Sequence, residues 1–497
     1  MLGGGAVEVQ TRSRQLQAWA NTSLLIAADI EEGVGQRFAG LTWLPPPMAL
    51  SAIAAKDLEL ARQYAYQMGE FTAQEAVSIG VNWLLAPVVD VNNNSENPVI
   101  NIRAFGDRPE IVSCLTSAFI EGAKSVPILT TAKHFPGHGD TATDSHLDLP
   151  VLNHDAARLA EIELPPFTSA IAAGVDSVMT AHLMIPVWDS EQPATLSKII
   201  LTEKLRQEMG FTGLIVTDAL IMGGITKYAA PEEVAIRAVE SGVDILLMPD
   251  NPEVAINSIF AAVQTGRLSE ERIDESCERI RIAKSKLNCL EGSSMVSSKP
   301  IQLEASEQGL ELATNILQHS LRAGGNFDRQ SFLPESNPQQ SNSQYFRNLI
   351  VVDDVLNSSF LNLRSLAIAI PQQLGYQKQI LDQNSLDLIT KDTRSTLLQL
   401  FVRGNPFRGQ AGLSPMAEEQ YFQLVQSEHL KAIVVYGSPY VLDWFLNLIP
   451  ADLPWIFSYG QMDIAQLIVL NALFSKKKNE TSADQITDKL VVTDFGF

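Results

Sequence analysis

Titratable side chains are concentrated between residues 133 and 146, where the chain reads KHFPGHGDTATDSH. The segment directly follows an apolar run at 125–132, and Gly137 and Gly139 let its backbone take conformations that are closed to other residues. Lysine, histidine and aspartate side chains that crowd at the end of a buried strand are typical of an active-site loop. A solvated, histidine-rich surface loop is the alternative, and the same strand-end pattern elsewhere in the chain argues against it.

One pair of side chains in this loop could move protons. Asp144 and His146 stand two residues apart in an irregular segment, close enough to form a hydrogen bond if the loop turns. The carboxylate would then fix the tautomer of the ring and stabilise its charged form. Because an imidazole titrates near neutrality, His146 could give and take protons as a general acid and base.

Asp218 is a second candidate, because it ends the apolar run 213–217 and is followed by the small Ala219. A carboxylate at the end of a strand could act as a nucleophile. It could equally be the N-cap of the next helix, where aspartate is favoured. The pattern alone leaves both interpretations open.

These residues belong to a repeated pattern, in which short apolar runs are separated by helical stretches and followed by a polar residue or a proline. The runs are 23–28 before Asp29, 81–89 before Asp90, 128–132 before Lys133, 177–181 before His182, 214–217 before Asp218 and 243–248 before Pro249. Near-continuous apolar strands separated by helices predict a parallel sheet that is covered on both faces. Polar residues at one strand end after another predict a (β/α)8-type (TIM) barrel, whereas a doubly wound sheet would gather its ligands at one switch point.

The start of the predicted barrel is irregular. A closed barrel of this type needs eight strands, but six runs are visible and the chain enters a helical stretch by about residue 10. We therefore expect a barrel that lacks its first strand, either because the chain start is truncated relative to related proteins or because the barrel is unusual. Unpaired sheet edges invite association, so we expect dimerisation or docking of the second domain to cover them.

A second domain is expected after the barrel. Residues 267–290 read as the last barrel helix, capped by Ser269, and the polar segment 291–302 reads as a linker. Residues 303–497 then alternate helical stretches with apolar runs at 348–353, 432–436, 455–458 and 490–495. We predict a TIM-like barrel at 1–290 that carries the chemistry and a smaller C-terminal α/β sandwich domain at 303–497.

The composition describes a globular protein with a large core, since 45% of the residues are hydrophobic and 19% are charged. The net charge of −21 argues against nucleic acid or an anionic membrane as the main partner. Three cysteines without metal-site spacing favour a reducing, cytoplasmic compartment. The sequence contains no apolar run long enough to predict a membrane span, and it does not indicate an oligomeric state.

The motifs resemble those of glycoside hydrolase family 3. The resemblance lies in KHFPGHGDTATDSH and in the segments 29–37 (DIEEGVGQR), 97–106 (NPVINIRAFG) and 216–220 (VTDAL). Within the family they are similar to the β-N-acetylglucosaminidase branch, whose bacterial members trim muropeptides in cell-wall recycling. The resemblance covers most of residues 1–290, and it implies a small carbohydrate or muropeptide substrate with no cofactor and no metal.

The resemblance also implies roles residue by residue. Asp218 would be the nucleophile of a retaining exo-glycosidase, and His146, paired with Asp144, would be its acid and base. A β-glucosidase of the family would instead take a glutamate from its second domain, so the Asp–Ser–His motif favours an N-acetylhexosaminide. The implied sugar-binding residues are Asp29, Arg37, Arg103, Lys133 and His134.

Structural interpretations of some of these residues remain open. Asp29 could be a helix cap, and Arg37 and Arg103 could form ion pairs that only stabilise the fold. Lys133 and His134 are harder to explain in this way, because an apolar core cannot hide both.

Other functions are also open. His134, His138 and His146 could suggest a zinc site, but Pro136 and the neighbouring glycines break any helix that would align them. Phosphate could replace water as the acceptor, because an imidazole repels phosphate less than a carboxylate does. A β-N-acetylglucosaminide phosphorylase, a β-glucosidase and a non-catalytic carbohydrate-binding protein therefore remain alternatives.

Overall fold

A computed structural model describes residues 3–141, 148–287, 306–327, 346–352, 360–382, 385–403 and 411–474. The chain divides into two compact units, the first made mainly of residues up to Ala313 and the second mainly of residues from Thr314. The predicted linker at 291–302 and the predicted strand at 490–495 lie outside the described residues. The predicted domain limits therefore stay predictions.

The first unit is built on one parallel ladder that follows the order of the chain. Its strands and their neighbours are Ala27–Ala28 with Trp83–Leu84, Thr131–Phe135 with Ser177–Thr180, and Ser177–Thr180 with Leu214–Thr217. Single parallel bridges join Trp83 to Leu129 and Val216 to Ile245. All six apolar runs of the sequence thus take strand positions in this ladder, which is the arrangement of the predicted barrel.

The start of the chain pairs elsewhere. The two-residue strand Gly4–Gly5 lies parallel to Phe38–Ala39, and the helix Ala6–Trp19 follows it directly. The expectations about a missing first strand, a truncated start and covered sheet edges stay predictions.

Side chains alternate between two cores along each ladder strand, because successive residues of a strand point to opposite faces. Val178 and Ile215 pack into a core shared with the surrounding helices. Their neighbours Met179, Leu214 and Val216 pack into a second core, which contains residues from all six strand positions. A strand that is buried on both faces needs an apolar residue at nearly every position, which explains the near-continuous apolar runs.

The helix Glu270–Leu287 covers the N-terminal ends of the ladder strands. Asp244 and Asp176 directly precede two strand positions, and both accept hydrogen bonds from this helix. Asp244 Oδ1 is 2.9 Å from Arg279 Nη1, and Asp176 pairs with Lys286. Apolar residues of the same helix join the inner core. This end of the barrel is therefore closed by packing and ion pairs, while the polar residues predicted to be functional lie at the other end.

The remaining helices surround the ladder. The helices of the first unit are Ala6–Trp19, Met48–Ala54, Leu58–Ser78, Pro109–Ala123, Ala156–Arg158, Leu164–Ala172, Gly223–Thr226, Pro231–Ser241, Pro252–Gln264 and Glu270–Leu287, with Glu307–Ser320 crossing into the second unit. Single-turn 3-10 helices occur at Val34–Gln36, Asn101–Arg103 and Ala194–Leu196, and π-type helices at Leu159–Glu163 and Ile199–Glu208. The predicted cap is confirmed, because Ser269 Oγ accepts a 3.2 Å hydrogen bond from the Arg272 N–H. None of the described helices is both long enough and apolar enough to cross a membrane.

The described strands of the second unit form a six-stranded sheet, and the predicted α/β class is confirmed. Their order is Gln377–Leu381, Arg347–Val352, Thr396–Val402, Leu430–Gly437, Trp455–Ser458 and Arg322–Gly324, and all pairs are parallel except the last. The described helices of this unit are Leu366–Gln373, Pro415–Gln426, Pro439–Leu446 and Asp463–Phe474, with a 3-10 turn at Leu386–Leu388. The strand Thr396–Val402 was not predicted, because Gln399 interrupts its apolar run. Inside the core the Gln399 amide donates a 2.7 Å hydrogen bond to Asn348 Oδ1, which makes its burial tolerable.

Candidate active site at the carboxyl ends of the barrel strands

Titratable side chains lie in the last residues of five consecutive strand positions of the ladder or just beyond them. They are Asp29, Asp90, Lys133 with His134, His182 and Asp218. Because parallel strands end at the same edge of a sheet, these side chains gather at one end of the barrel. Most of them are almost fully buried, so each needs a polar partner to offset the loss of water.

Lys133 lies between two carboxylates. Its Nζ atom is 2.8 Å from Asp29 Oδ1 and 2.6 Å from Glu31 Oε1. Glu31 in turn accepts two hydrogen bonds of 2.8 Å from Arg103, one from Nε and one from Nη2. A planar guanidinium and a carboxylate fit each other in this two-bond geometry. The four side chains form one network of two cations and two anions, which we call the Glu31 network.

Glu31 and Lys133 stay charged although they are buried. Burial raises the pKa of the Glu31 carboxyl, but the charges of Arg103 and Lys133 outweigh it and hold that pKa well below its usual value. Burial lowers the pKa of Lys133, but the charges of Asp29 and Glu31 bring it above its usual value. At neutral pH Glu31, Lys133 and Arg103 are therefore ionised. Asp29 has the most exposed side chain of the four, at 36%, and so keeps an edge of its carboxylate for a ligand.

A tight loop brings Arg37 next to Asp29, a member of the Glu31 network. Its side chain is exposed, and its Nε donates a 3.0 Å hydrogen bond to the backbone carbonyl of Asp29. Gly35 lies so close to the following segment that a Cβ there would be 2.3 Å from the Leu41 carbonyl oxygen. Only glycine fits at this approach, and the loop that it permits returns Arg37 to Asp29.

Asp90 organises the loop that starts at His134. Its carboxylate accepts hydrogen bonds from His134 Nδ1 at 2.8 Å and from the backbone N–H groups of His134 at 3.2 Å and His138 at 2.7 Å. Burial raises the pKa of Asp90. The charge and hydrogen bond of His134 lower that pKa by more, so it lies below the usual value for an aspartate. Because His134 Nδ1 donates to this carboxylate, the ring turns its Nε2 edge towards any ligand.

His138 has a structural place rather than a reactive one. It is almost fully buried, and its Nδ1 is 2.8 Å from Thr141 Oγ1. Burial lowers the pKa of His138 to about 4, against the opposing charge of Asp90. The ring is therefore neutral at neutral pH and cannot supply a proton there.

Asp218 ends the strand Leu214–Thr217 with a partly exposed side chain. Its Oδ1 accepts a 2.7 Å hydrogen bond from the Ala219 N–H. Loss of water raises the pKa of Asp218, but the charges of His134 and His182 and the Ala219 N–H lower it more, so the net direction is downward. The next helix begins at Gly223 with Met222 as its N-cap, so the helix-cap interpretation of Asp218 is wrong.

The predicted acid/base pair, Asp144 and His146, lies outside the described residues. The chain on either side of it is held together by ion pairs. Asp140 Oδ2 is 2.8 Å from His154 Nε2 and 3.2 Å from Arg158 Nη2.

The structure brings several of the predicted site residues together and adds neighbours for which no role was predicted. Asp29, Arg103 and Lys133 share one network, Arg37 contacts Asp29, and the charges of His134 and Lys133 act on Asp218. Glu31 lies inside a recognised motif, yet no role was predicted for it. Asp90 and His182 were noted only for their position at strand ends. In the described part of the chain, no group of three histidine, cysteine, aspartate or glutamate side chains is placed to hold a metal ion.

Comparison with known families identifies both parts of the chain. Residues 4–283 match the family described as glycosyl hydrolase family 3 N terminal domain. Residues 339–475 match the family described as bacterial glycosyl hydrolase family 3 C-terminal domain. The first match alone covers more than half of the chain.

Several known proteins are similar to a little more than half of the chain. Beta-hexosaminidase A of Pseudoalteromonas piscicida is 35% identical over 299 residues, which are 56% of this chain and 50% of the relative. The beta-N-acetylglucosaminidase/beta-glucosidase of Cellulomonas fimi is 30% identical over 290 residues, with the same two shares of 56% and 50%. The chain thus spans about half the length of these relatives.

A solved structure is similar over nearly the whole chain. It is a glycoside hydrolase family 3 beta-N-acetylglucosaminidase from Paenibacillus sp., with a TM-score of 0.77 and 28% sequence identity. The match covers 95% of this chain and 90% of that one. Both predicted domain classes are therefore found together in a known protein.

We predict that His138 stays neutral well into the acid range. Its pKa in the folded protein is about 4, whereas an unfolded histidine titrates at about 6.5. Between these values the unfolded chain binds more protons, so the stability contributed by a neutral His138 is present above about pH 6.5 and is lost as the pH falls towards 4. NMR titration of the 15N-labelled histidines measures this, with His138→Gln to assign the signal. A His138 signal that titrates near pH 6.5 would contradict the prediction.

Proposed function

The chain belongs to glycosyl hydrolase family 3, and on that premise we propose that it is a retaining exo-glycosidase that removes terminal β-linked N-acetylglucosamine from peptidoglycan fragments. The observation that carries this proposal is Asp218, a partly exposed carboxylate kept anionic beside buried cations at the carboxyl ends of the strands. A retaining glycosidase needs such a nucleophile together with a proton donor beside the leaving oxygen.

In the proposed mechanism Asp218 attacks the anomeric carbon. The bond to the leaving oxygen breaks as the bond to the Asp218 carboxylate forms, which gives a covalent glycosyl-enzyme. A lowered pKa suits this role, because the group must be deprotonated to attack. The positive charges of Lys133 and His134 also favour the anionic state of the carboxylate before the sugar binds.

His146 would supply the proton that the leaving oxygen requires. It would then take a proton from water, whose oxygen attacks the anomeric carbon and releases Asp218 unchanged. Asp144 would accept a hydrogen bond from the other ring nitrogen and stabilise the charged imidazole. Two displacements at the same carbon give a product with the β configuration of the substrate.

The sugar would bind to the exposed edge of the Glu31 network and its neighbours. Asp29 can accept hydrogen bonds from hydroxyl groups, and Arg37 and Arg103 can donate to sugar oxygens. Lys133 and His134 would meet the same ring from the adjacent strand. Because these groups are already held by hydrogen bonds within the protein, little rearrangement is needed when the sugar enters.

The names of similar proteins support the choice of sugar. The Paenibacillus structure is named as a beta-N-acetylglucosaminidase and the Pseudoalteromonas relative as a beta-hexosaminidase, whereas the name of the Cellulomonas relative includes both beta-N-acetylglucosaminidase and beta-glucosidase. A β-glucosidase activity is therefore the second candidate. Phosphorolysis with the same residues is the third, since an imidazole acid tolerates an incoming phosphate.

The reaction itself is the first test. We predict that the chain hydrolyses 4-nitrophenyl β-N-acetylglucosaminide faster than the corresponding β-glucoside, and that added phosphate does not change the product. Proton NMR of the first-formed sugar should show the β-anomer, because two inversions restore the starting configuration. An initial α-anomer would exclude the covalent mechanism, and a sugar 1-phosphate would identify a phosphorylase.

Replacement of His146 tests the acid/base assignment. We expect His146→Ala to lower turnover by roughly 10²- to 10⁴-fold, the usual contribution of general acid–base catalysis. The loss in the first step should be much smaller for a 2,4-dinitrophenyl glycoside, whose leaving group needs little protonation. Equal losses for good and poor leaving groups would assign His146 to binding instead.

Replacement of Glu31 tests the binding network. Glu31→Gln keeps the shape of the side chain but leaves one acceptor oxygen for both Lys133 and Arg103. Losing a hydrogen bond to a charged group costs about 1.5–3 kcal/mol, so we expect KM to rise by roughly 10- to 100-fold with a smaller change in kcat. The matched control is Glu32→Gln, which neutralises the neighbouring buried carboxylate that accepts from Trp43 Nε1. An equal rise of KM in the control would show a general loss of structure instead.

A further inference from the structure

His182 is a buried histidine directly behind Asp218 for which the proposed mechanism has no use. It follows the strand Ser177–Thr180 and is 1% exposed. Its Nδ1 is 2.8 Å from Thr195 Oγ1, and its Nε2 is 3.2 Å from the Ala219 carbonyl oxygen. Both ring nitrogens thus have polar partners within hydrogen-bond distance, as a buried histidine requires, and one of these partners belongs to the residue next to Asp218.

The contacts of the ring fix one of its two possible protons. The Ala219 carbonyl can only accept, so His182 Nε2 donates to it. On the other side the Thr195 hydroxyl oxygen lies 3.0 Å from the Ala181 carbonyl oxygen, 2.9 Å from Thr180 Oγ1 and 2.8 Å from His182 Nδ1. A hydroxyl can both donate and accept, so Thr195 satisfies Nδ1 in either protonation state of the ring.

These contacts lead to Asp218 through Ala219. The Ala219 carbonyl is held by His182, and the Ala219 N–H donates the 2.7 Å hydrogen bond to Asp218 Oδ1. The N–H of Asp218 itself lies 3.3 Å from the Thr180 carbonyl on the neighbouring strand. The residue that orients the carboxylate is therefore anchored on one side by an imidazole and on the other by the strand.

We propose that His182 is a positioning residue for Asp218: it holds Ala219, and through it the carboxylate, in the orientation for attack on the sugar. The inference rests on the proposed function, because it takes Asp218 as the nucleophile. The anchor is rigid, since it ends on Thr195, which is buried and bonded to two further groups. The charge of His182 also favours the anionic form of the carboxylate, a role it shares with His134 and Lys133.

Three variants separate orientation from charge. His182→Phe removes both, and His182→Gln can still donate to the Ala219 carbonyl but carries no charge. Thr195→Val keeps the imidazole and removes its anchor. The matched control is His319→Gln, on an exposed histidine of the second unit. For each, kcat, KM and the acid limb of kcat/KM are measured with 4-nitrophenyl β-N-acetylglucosaminide, and thermal unfolding confirms that the protein is folded.

We expect His182→Phe to lower kcat by about 10²-fold, the loss that a displacement of about 1 Å at a reacting group can cause, with KM little changed. The acid limb should move to higher pH, because the pKa of Asp218 rises when a neighbouring positive charge is removed. His182→Gln should recover part of kcat and keep the shifted limb. Thr195→Val should lower kcat and leave the limb in place, and the control should behave as the unmodified protein.

The possible negative results distinguish between the proposed function and the positioning role of His182. An inactive unmodified protein, or an active Asp218→Asn variant, overturns the proposed function and this inference with it. Unchanged kcat and an unchanged acid limb in folded His182→Phe, while Asp218→Asn is inactive, overturn the inference alone. If His182→Phe does not fold, an unchanged kcat in folded Thr195→Val, which lacks the anchor of the ring, overturns it in the same way.

Discussion

The carboxylate of Glu31 is the interaction on which the site depends. It is almost fully buried and accepts hydrogen bonds from both Arg103 and Lys133. Two cations at one end of a barrel would repel each other and lose most of their hydration, and a shared anion between them removes both problems. The same anion holds the two donors at a fixed separation before any ligand arrives. The spacing of the two donors and the local stability thus have one common cause, because the group that makes burial tolerable also sets the distance between the donors.

The fold could be predicted from sequence where local pattern and tertiary structure agree. Each ladder strand is buried on both faces, so its apolar run is nearly continuous and the polar residue that ends it is conspicuous. That contrast placed Asp29, Asp90, Lys133 and Asp218 at strand ends. In the second unit the same reasoning found three of the six described strands and did not predict Arg322–Gly324, Gln377–Leu381 or Thr396–Val402. In Thr396–Val402 the polar Gln399 looks like an interruption until its buried partners are known.

The members of the site that escaped prediction are those defined by long-range contacts. Arg103 and Glu31 are 72 residues apart in sequence, and Asp90 and His134 are 44 apart, so no local spacing reveals either pair. The cap interpretation of Asp218 failed for a related reason. Aspartate is favoured at helix starts, but whether a helix starts there depends on the loop, and the next helix begins only at Gly223.

Because one helix closes the N-terminal end of the barrel, residues at that end are selected for stability, whereas residues at the opposite end can be selected for ligand recognition. The ion pairs of this helix with Asp176 and Asp244 tie the strands together at the end remote from the proposed chemistry. Substitutions in the loops at the opposite end can therefore alter which ligand is recognised without loosening the scaffold that supports them. Among proteins that descend from such a barrel, substitutions should accumulate in the loops at the carboxyl ends of the strands. Substitutions at the N-terminal ends should be eliminated by selection for stability. New substrate preferences would then evolve by remodelling loops, while the N-terminal ends change slowly.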